Sequence, residues 1–388
     1  MFLQLCVLGF LTYFSYSLAR FPVIPLYAQS LGIGPEALGF LVAASTITGI
    51  PGKFISGGLS DIYGRRRLLI LGSLVFAILP FTYFLAKSYW SLLIIRFLHG
   101  SATAILGPVA NATVADLAKS SERGLKIGTF GTATKIGTTL GPWLCGILLS
   151  WKGFMFPFMI SGIIGTLGLA LAIRLPKNLG SQKTGEPLVE FLTKIKSAVK
   201  RPMILFSSSI EGLQSLATGS IEAFMPIYAK TVLNLSDWKI GFLFGIQVVA
   251  TLVAKPLSGA ISDRMGRKPL IVGGLFLAAG TIVLIPHLRG FVPLVIDVMI
   301  YGITVAMISV PNRALVIDLS EPKSYGAVQG VYGTVDDIGH ALGPILAGFL
   351  VGGWGFQNAY LAFGLLLFGG GITFWLRVRP VKQASSGA

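Results

Sequence analysis

Apolar residues run along this chain in long blocks, broken by short polar or glycine-rich stretches. About twelve blocks stand out, over 3–28, 36–59, 68–86, 90–117, 125–150, 154–174, 203–231, 238–261, 269–287, 291–319, 325–352 and 356–378. An α-helix needs about 20 apolar residues to cross a bilayer. Blocks of this length read as membrane spans, not as strands or as core helices of a soluble domain. The pattern predicts an all-α membrane protein with about twelve transmembrane helices.

The blocks repeat. Residues 57–67 read GGLSDIYGRRR and residues 258–268 read SGAISDRMGRK. Asp61 and Asp263 lie 202 positions apart, and the same offset joins Lys53 to Lys255, Gly64 to Gly266 and Arg65 to Arg267. It also joins Gly100 to Gly302, Asp116 to Asp318, Gly137 to Gly339 and Gly141-Pro142 to Gly343-Pro344. One register held this far is an internal duplication, the way many transporters build a site between two halves. It predicts two pseudo-symmetric six-helix bundles, over 1–175 and 203–380. A cytoplasmic linker over 176–202 joins them, and a short tail follows at 381–388. Within the linker, Leu188–Val199 reads equally as a surface-lying amphipathic helix or as solvated chain.

Composition agrees with the pattern. Charged residues make up 12% of the chain and hydrophobic residues 53%. A soluble domain carries roughly 25% charge. The net charge of +16 points to membrane flanks, not to nucleic acid, because the basic residues cluster between blocks. About 20 of the 31 Lys and Arg fall on one side, which makes that side cytoplasmic and puts both termini there, in a cell membrane. The N-terminal block is too long for a signal peptide. Cys6 and Cys145 fall inside blocks and read as packing residues. His99, His287 and His340 lie on different blocks without partners at ligand spacing, so no metal is expected. No phosphate-binding loop, nucleophile elbow or dinucleotide fingerprint occurs, so no cofactor and no enzyme activity are expected.

The 57–67 segment resembles the loop motif of the major facilitator superfamily, written G-x-L-a-D-r-x-G-r-k. Gly58, Asp61, Gly64, Arg65 and Arg66 match it, and Gly259, Asp263, Gly266, Arg267 and Lys268 repeat it. Arg96, His99 and Gly100 resemble that family's span 4 motif, with His in place of the usual Gln. Gly128, Gly137, Gly141-Pro142 and Cys145-Gly146 are similar to the span 5 signature of its proton-coupled exporters. The resemblance covers essentially the whole chain and points to the 12-span drug:proton antiporter branch. It implies the major facilitator fold, a monomer, and spans 1, 4, 7 and 10 around a central cavity. It also implies that the Asp61–Arg65–Asp116 cluster and its mate Asp263–Arg267–Asp318 latch the cytoplasmic side. The plainer alternative is that these bridges only fix topology.

An ionisable side chain inside a membrane is costly unless paired or hydrated, so each marks a candidate site. Three basic ones, Arg20, Arg96 and Lys135, fall in the first half. The acidic ones, Glu211, Glu222, Asp297, Asp336 and Asp337, fall in the second. Under the repeat, Lys135 corresponds to Asp337, Arg20 to Glu222 and, one position off, Arg96 to Asp297. Helical spacing groups Tyr13, Tyr16, Ser17 and Arg20; Arg96, His99 and Thr103; Glu211, Gln214, Ser215, Thr218 and Glu222; and Asp297, Tyr301 and Thr304. These stripes are expected to face a water-filled centre, where Tyr13, Tyr16, Arg20, Arg96, Lys135, Glu211, Gln214, Glu222, Asp297 and Tyr301 are the expected substrate-binding residues. Facing charges are expected to bridge the halves, with Lys135 against Asp336 or Asp337. Adjacent Asp336 and Asp337 crowd two like charges, so a proton taken up there would weaken a bridge. The alternative is that the pairs only hold helices together. His340, one turn beyond Asp336, reads as a proton relay or a packing residue, and Glu222 joins the coupling set. Lys53 and Lys255 read as anion-binding, as acid-pairing or as snorkelling residues.

The expected partners are a small-molecule substrate, protons and the lipid bilayer. The leading expectation is a secondary active transporter that exports a small organic compound in exchange for protons. Span 1 departs from the exporter pattern, because it carries Arg20 and no acid. Import or exchange of a small organic anion, gripped by Arg20, Arg96 and Lys135, is the second reading. A non-transporting membrane sensor or scaffold is the third, and mid-membrane charges count against it.

Overall fold

The structure is a computed structural model and describes residues 1–119, 121–176, 179, 200–321 and 324–378, without side chains at 53–55, 57, 58 and 61. The linker interior, with Leu188–Val199, and the tail at 381–388 lie outside the described residues. The described chain is helical. In order come α1 (Phe2–Leu18), α2 (Val23–Ser30), α3 (Pro35–Tyr63), α4 (Arg65–Thr82), α5 (Tyr89–Asp116) and α6 (Arg123–Lys152). Then follow α7 (Met155–Ile173), α8 (Pro202–Thr231), α9 (Asp237–Met265), α10 (Arg267–Leu284), α11 (Phe291–Asp318) and α12 (Tyr325–Arg377).

Among the described residues, eight helical stretches are long and apolar enough to cross a membrane, with α1 and α2 joined as one of them. Helices α3, α6 and α8 are as long, at 29, 30 and 30 residues, but carry more Gly, Ser, Thr and charge. At 1.5 Å per residue, the 53 residues of α12 would run about 80 Å if straight, far beyond a hydrocarbon core of about 30 Å. Gly355, at φ 76°, breaks it into two arms. Counted as spans, the described helices therefore number twelve, and their ends fall within about four residues of the apolar blocks.

Two turns show why the repeated loop carries glycine. Gly64 separates α3 from α4 at φ 89°, and Gly266 separates α9 from α10 at φ 88°. A side chain is strained in that region of backbone space, so the sharp reversal selects glycine twice.

Contacts divide the chain into two compact units, Met1–Gly185 with Glu222–Gly245, and Glu186–Ile221 with Ile246–Ala388. In the first, α1 packs on α6, α3 on α5 and α4 on α7, around a core that includes Leu69, Phe76, Leu106, Val109 and Phe130. Glycines set the approach. A Cβ at Gly137 would lie 2.6 Å from the Phe10 carbonyl oxygen, and one at Gly141 2.6 Å from the Ser17 Cβ. Small residues at helix seams substitute close backbone packing for the hydrophobic force that lipid cannot supply. The end of α8 and the start of α9 join this unit the same way, since a Cβ at Gly146 would lie 2.7 Å from the Asp237 carbonyl oxygen.

The second unit repeats the seams at the same offset. Gly339 of α12 abuts the Gly212 backbone of α8, as Gly137 abuts Phe10. Gly302 abuts Gln247, as Gly100 abuts Ser45. Gly274 faces Ile308 and Met307, as Gly72 faces Leu106 and Ile105. Ile204, Val316, Val328 and Tyr332 form a core cluster here.

Candidate functional site

The loop motif builds a clamp between helix ends. Arg65, at the first position of α4, reaches Asp116 at the end of α5, with Nε 3.2 Å from Oδ2, and donates to Ser60 Oγ. In the second copy, Arg267 reaches Asp318 at 3.4 Å, Asp263 at 2.5 Å and Ser262 Oγ at 2.8 Å. The side chain of Asp61 lies outside what the structure describes. The serines at 60 and 262 escaped the sequence reading, although they also stand 202 apart. So did the role of Arg66, which donates to the Ile173 and Leu175 carbonyls, both at 2.7 Å, and closes the end of α7. Its counterpart Lys268 lies over the ring of Trp375, 4.7 Å from its centroid.

Within the first unit, Arg20 meets Glu222 at 3.4 Å, with side chains 19% and 22% exposed. Its guanidinium lies over the Phe21 ring at 4.6 Å and the Tyr16 ring at 5.7 Å, and Phe21 stacks on Phe244. Tyr16 donates to Ser45 Oγ at 3.2 Å. The Tyr13 hydroxyl stands against Gly107 of α5. Lys135 is exposed on α6, and its carbonyl accepts from Thr138 and Thr139.

Arg96 and His99 differ from expectation. Neither faces water; both are fully buried in the first unit. Arg96 donates to the carbonyls of Leu41 and Val42 on α3 and, at 2.6 Å, to Ser45 Oγ. His99 Nδ1 lies 3.3 Å from the Tyr83 hydroxyl, and its ring packs edge-on against Tyr16 and Phe76. Backbone carbonyls and hydroxyls supply the polar surroundings that water was expected to provide. The spacing rule found the right stripe but could not tell which neighbour it faces.

In the second unit, polar groups of α8 reach α11 and α12. Tyr332 donates to Glu211 Oε2 at 2.6 Å. Ser215 Oγ donates to Asp336 Oδ1. Gln214 donates to Thr218 Oγ1 at 2.9 Å, and that hydroxyl lies 2.8 Å from the Tyr301 hydroxyl. Asn312 donates to the Ser207 carbonyl at 2.9 Å. Asp337 and His340 are partly buried on the same helix as Asp336, and the His340 carbonyl lies against Gly219. Glu211, Gln214 and Ser215 are buried, as are Asp297, Tyr301 and Thr304. Hydroxyls, carboxyls and amides of α8, α11 and α12 thus tie the stripes on α8 and α11 together. Tyr332, Asn312 and Ser207 were not singled out in the sequence, since each is an ordinary helical residue until its neighbour is known.

The Major Facilitator Superfamily sequence profile matches this chain over residues 5–246 and 208–388. The multidrug resistance protein MdtG of an Escherichia coli strain is 25% identical over 391 residues, covering 97% of this chain and 94% of that one. An uncharacterized MFS-type transporter of Methanocaldococcus jannaschii is 24% identical over 360 residues, covering 92% and 93%. In fold, the crystal structure of the nucleoside transporter NupG superposes with a TM-score of 0.79 at 15% identity, over 97% of this chain and 99% of that one.

Proposed function

The chain belongs to the Major Facilitator Superfamily, hence is a multi-pass membrane transporter and not an enzyme, and we propose that it exports a small organic compound in exchange for protons. The observation that carries this reading is the set of charged and hydroxyl groups tied together within the spans: Arg20 with Glu222, Glu211 with Tyr332, and Asp336 with Ser215. Such groups cost several kcal/mol each in an apolar interior and add nothing that Leu packing would not supply. They earn their place by exchanging partners as the transporter changes state. MdtG, named as a multidrug resistance protein, supports the outward direction. In this reading Tyr13, Tyr16, Arg20, Lys135, Glu211, Gln214 and Tyr301 serve the substrate path. Asp336, Asp337, His340 and Glu222 serve the proton, and the Arg65 and Arg267 clamps close the cytoplasmic side, with both termini in the cytoplasm of the cell.

Expression in a host stripped of its own exporters tests the reading. Cells making the protein should accumulate less of a lipophilic cationic dye such as ethidium, and a protonophore should erase the difference. Equal accumulation across a panel of cationic, neutral and anionic compounds contradicts export. A second reading, uptake of a small organic anion, is favoured by the cations Arg20 and Lys135 in the first unit. Protein-dependent uptake of a labelled carboxylate would establish it.

A further inference from the structure

Asp297 sits on α11 with 3% of its surface exposed, and among the described residues neither carboxyl oxygen has a hydrogen-bond partner. Two other acids of the same unit have donors: Tyr332 for Glu211 and Ser215 for Asp336. Among the described residues, no hydrogen bond or ion pair reaches Asp297 from the charged or titratable groups of the adjoining elements: Glu211 on α8, Lys255 on α9, His287 beyond α10, Arg313 on α11 itself, or Tyr332, Asp336, Asp337 and His340 on α12. A bare carboxylate enclosed without donors is among the costliest arrangements a protein can hold. A carboxylic acid in the same place has only its unmade hydrogen bonds to set against it.

One helical turn along α11 stands Tyr301, also buried. Its hydroxyl lies 2.8 Å from Thr218 Oγ1, which in turn receives Gln214. Residues four apart on a helix share a face, so exchangeable hydroxyl protons lead from the turn of Asp297 toward α8.

We propose that Asp297 is a proton-binding site, which holds its proton while enclosed as here and releases it when that face of α11 becomes wet. It was grouped by spacing with the substrate residues; its enclosure reassigns it. The proposal rests on the reading of this chain as a proton-coupled transporter, and the acid it names is different from the coupling set above.

Infrared difference spectroscopy on the purified protein in lipid nanodiscs tests it without any substrate. Near neutral pH, the wild type should show the high-frequency C=O stretch of a carboxylic acid without hydrogen bonds. That band should vanish in Asp297→Asn and reappear, displaced, in Asp297→Glu. In proteoliposomes, Asp297→Asn should lose at least tenfold of any gradient-driven ethidium movement while keeping ethidium exchange at equal pH; Asp297→Glu should recover part of the loss. No such band in the wild type overturns the proposal, as does a band that persists in Asp297→Asn and so belongs to another acid. Gradient-driven movement unchanged in Asp297→Asn also overturns it. Should Asp297→Asn fail to fold, Asp297→Glu still decides, because an unshifted band would exclude Asp297. If the wild type moves no test compound under a gradient, the exporter reading fails, and the infrared result still judges the site.

Discussion

Replacing Gly137 by alanine puts a Cβ 2.6 Å from the Phe10 carbonyl oxygen and 3.0 Å from the Phe14 amide nitrogen. Ordinary contact begins at 3.4 Å, and both obstacles are backbone of α1, so no side chain can swing aside. The seam between α1 and α6 has to open by most of an ångström. Overpacking of this kind costs about 1–3 kcal/mol. Against it stands the gain of about 1 kcal/mol that alanine brings over glycine inside a helix. Gly131, on the same α6, isolates that gain, because nothing lies within 4 Å of its Cβ position. The two substitutions should therefore differ by about 1–3 kcal/mol, roughly 5- to 150-fold in the unfolding equilibrium. Unfolding in mixed detergent–SDS micelles, followed by circular dichroism, reads that difference. Since α1 also carries Tyr13 and Tyr16, with Arg20 just beyond its end, Gly137→Ala should slow transport as well. Equal stability and equal transport for Gly137→Ala and Gly131→Ala would refute the claim that glycine is there for close approach.

The Arg20–Glu222 pair, at 3.4 Å and about four-fifths buried on both sides, should show a coupling of about 1–3 kcal/mol in a double-mutant cycle with alanine, read by the same unfolding assay. A coupling near zero would reduce it to two neighbouring charges. Gly64→Ala and Gly266→Ala should each cost about 1–3 kcal/mol, because φ near 89° and 88° strains any side chain, and both should slow transport if the α3–α4 and α9–α10 reversals matter to gating. Tyr332→Phe removes the hydroxyl that Glu211 accepts from and should cost about 1–3 kcal/mol in the same unfolding assay, whereas Tyr89→Phe at the start of α5 should cost almost nothing.

Much of this architecture can be read in the sequence, and the reason is physical. Lipid demands long apolar helices, so span ends show as breaks in hydropathy. The reversal at Gly64 and Gly266 needs a residue without a side chain, so it leaves glycine at both copies. Arg65 and Arg267 reach Asp116 and Asp318 because each opens a helix directly after the glycine turn, beside the end of α5 or α11. What stayed hidden depends on how each helix is rotated about its axis. Spacing put Arg96 and His99 on one stripe, yet that stripe turns toward Ser45 and Tyr83. Spacing put Asp297 beside Tyr301, yet only the structure shows the one without a hydrogen-bond partner among the described residues and the other tied to Thr218. The glycine seams were legible as small residues, but their pairing with Phe10, Ser45, Gly212 and Gln247 was not.

The most direct measurement follows protons and dye together. Purified protein is reconstituted into liposomes with a pH-sensitive dye on one side and ethidium on the other, with valinomycin present to clamp the membrane potential. The account predicts that an imposed pH difference drives ethidium against its own gradient, and that adding ethidium at equal pH moves protons the opposite way. Ethidium that equilibrates at the same rate with and without the pH difference, with no proton movement, would contradict it.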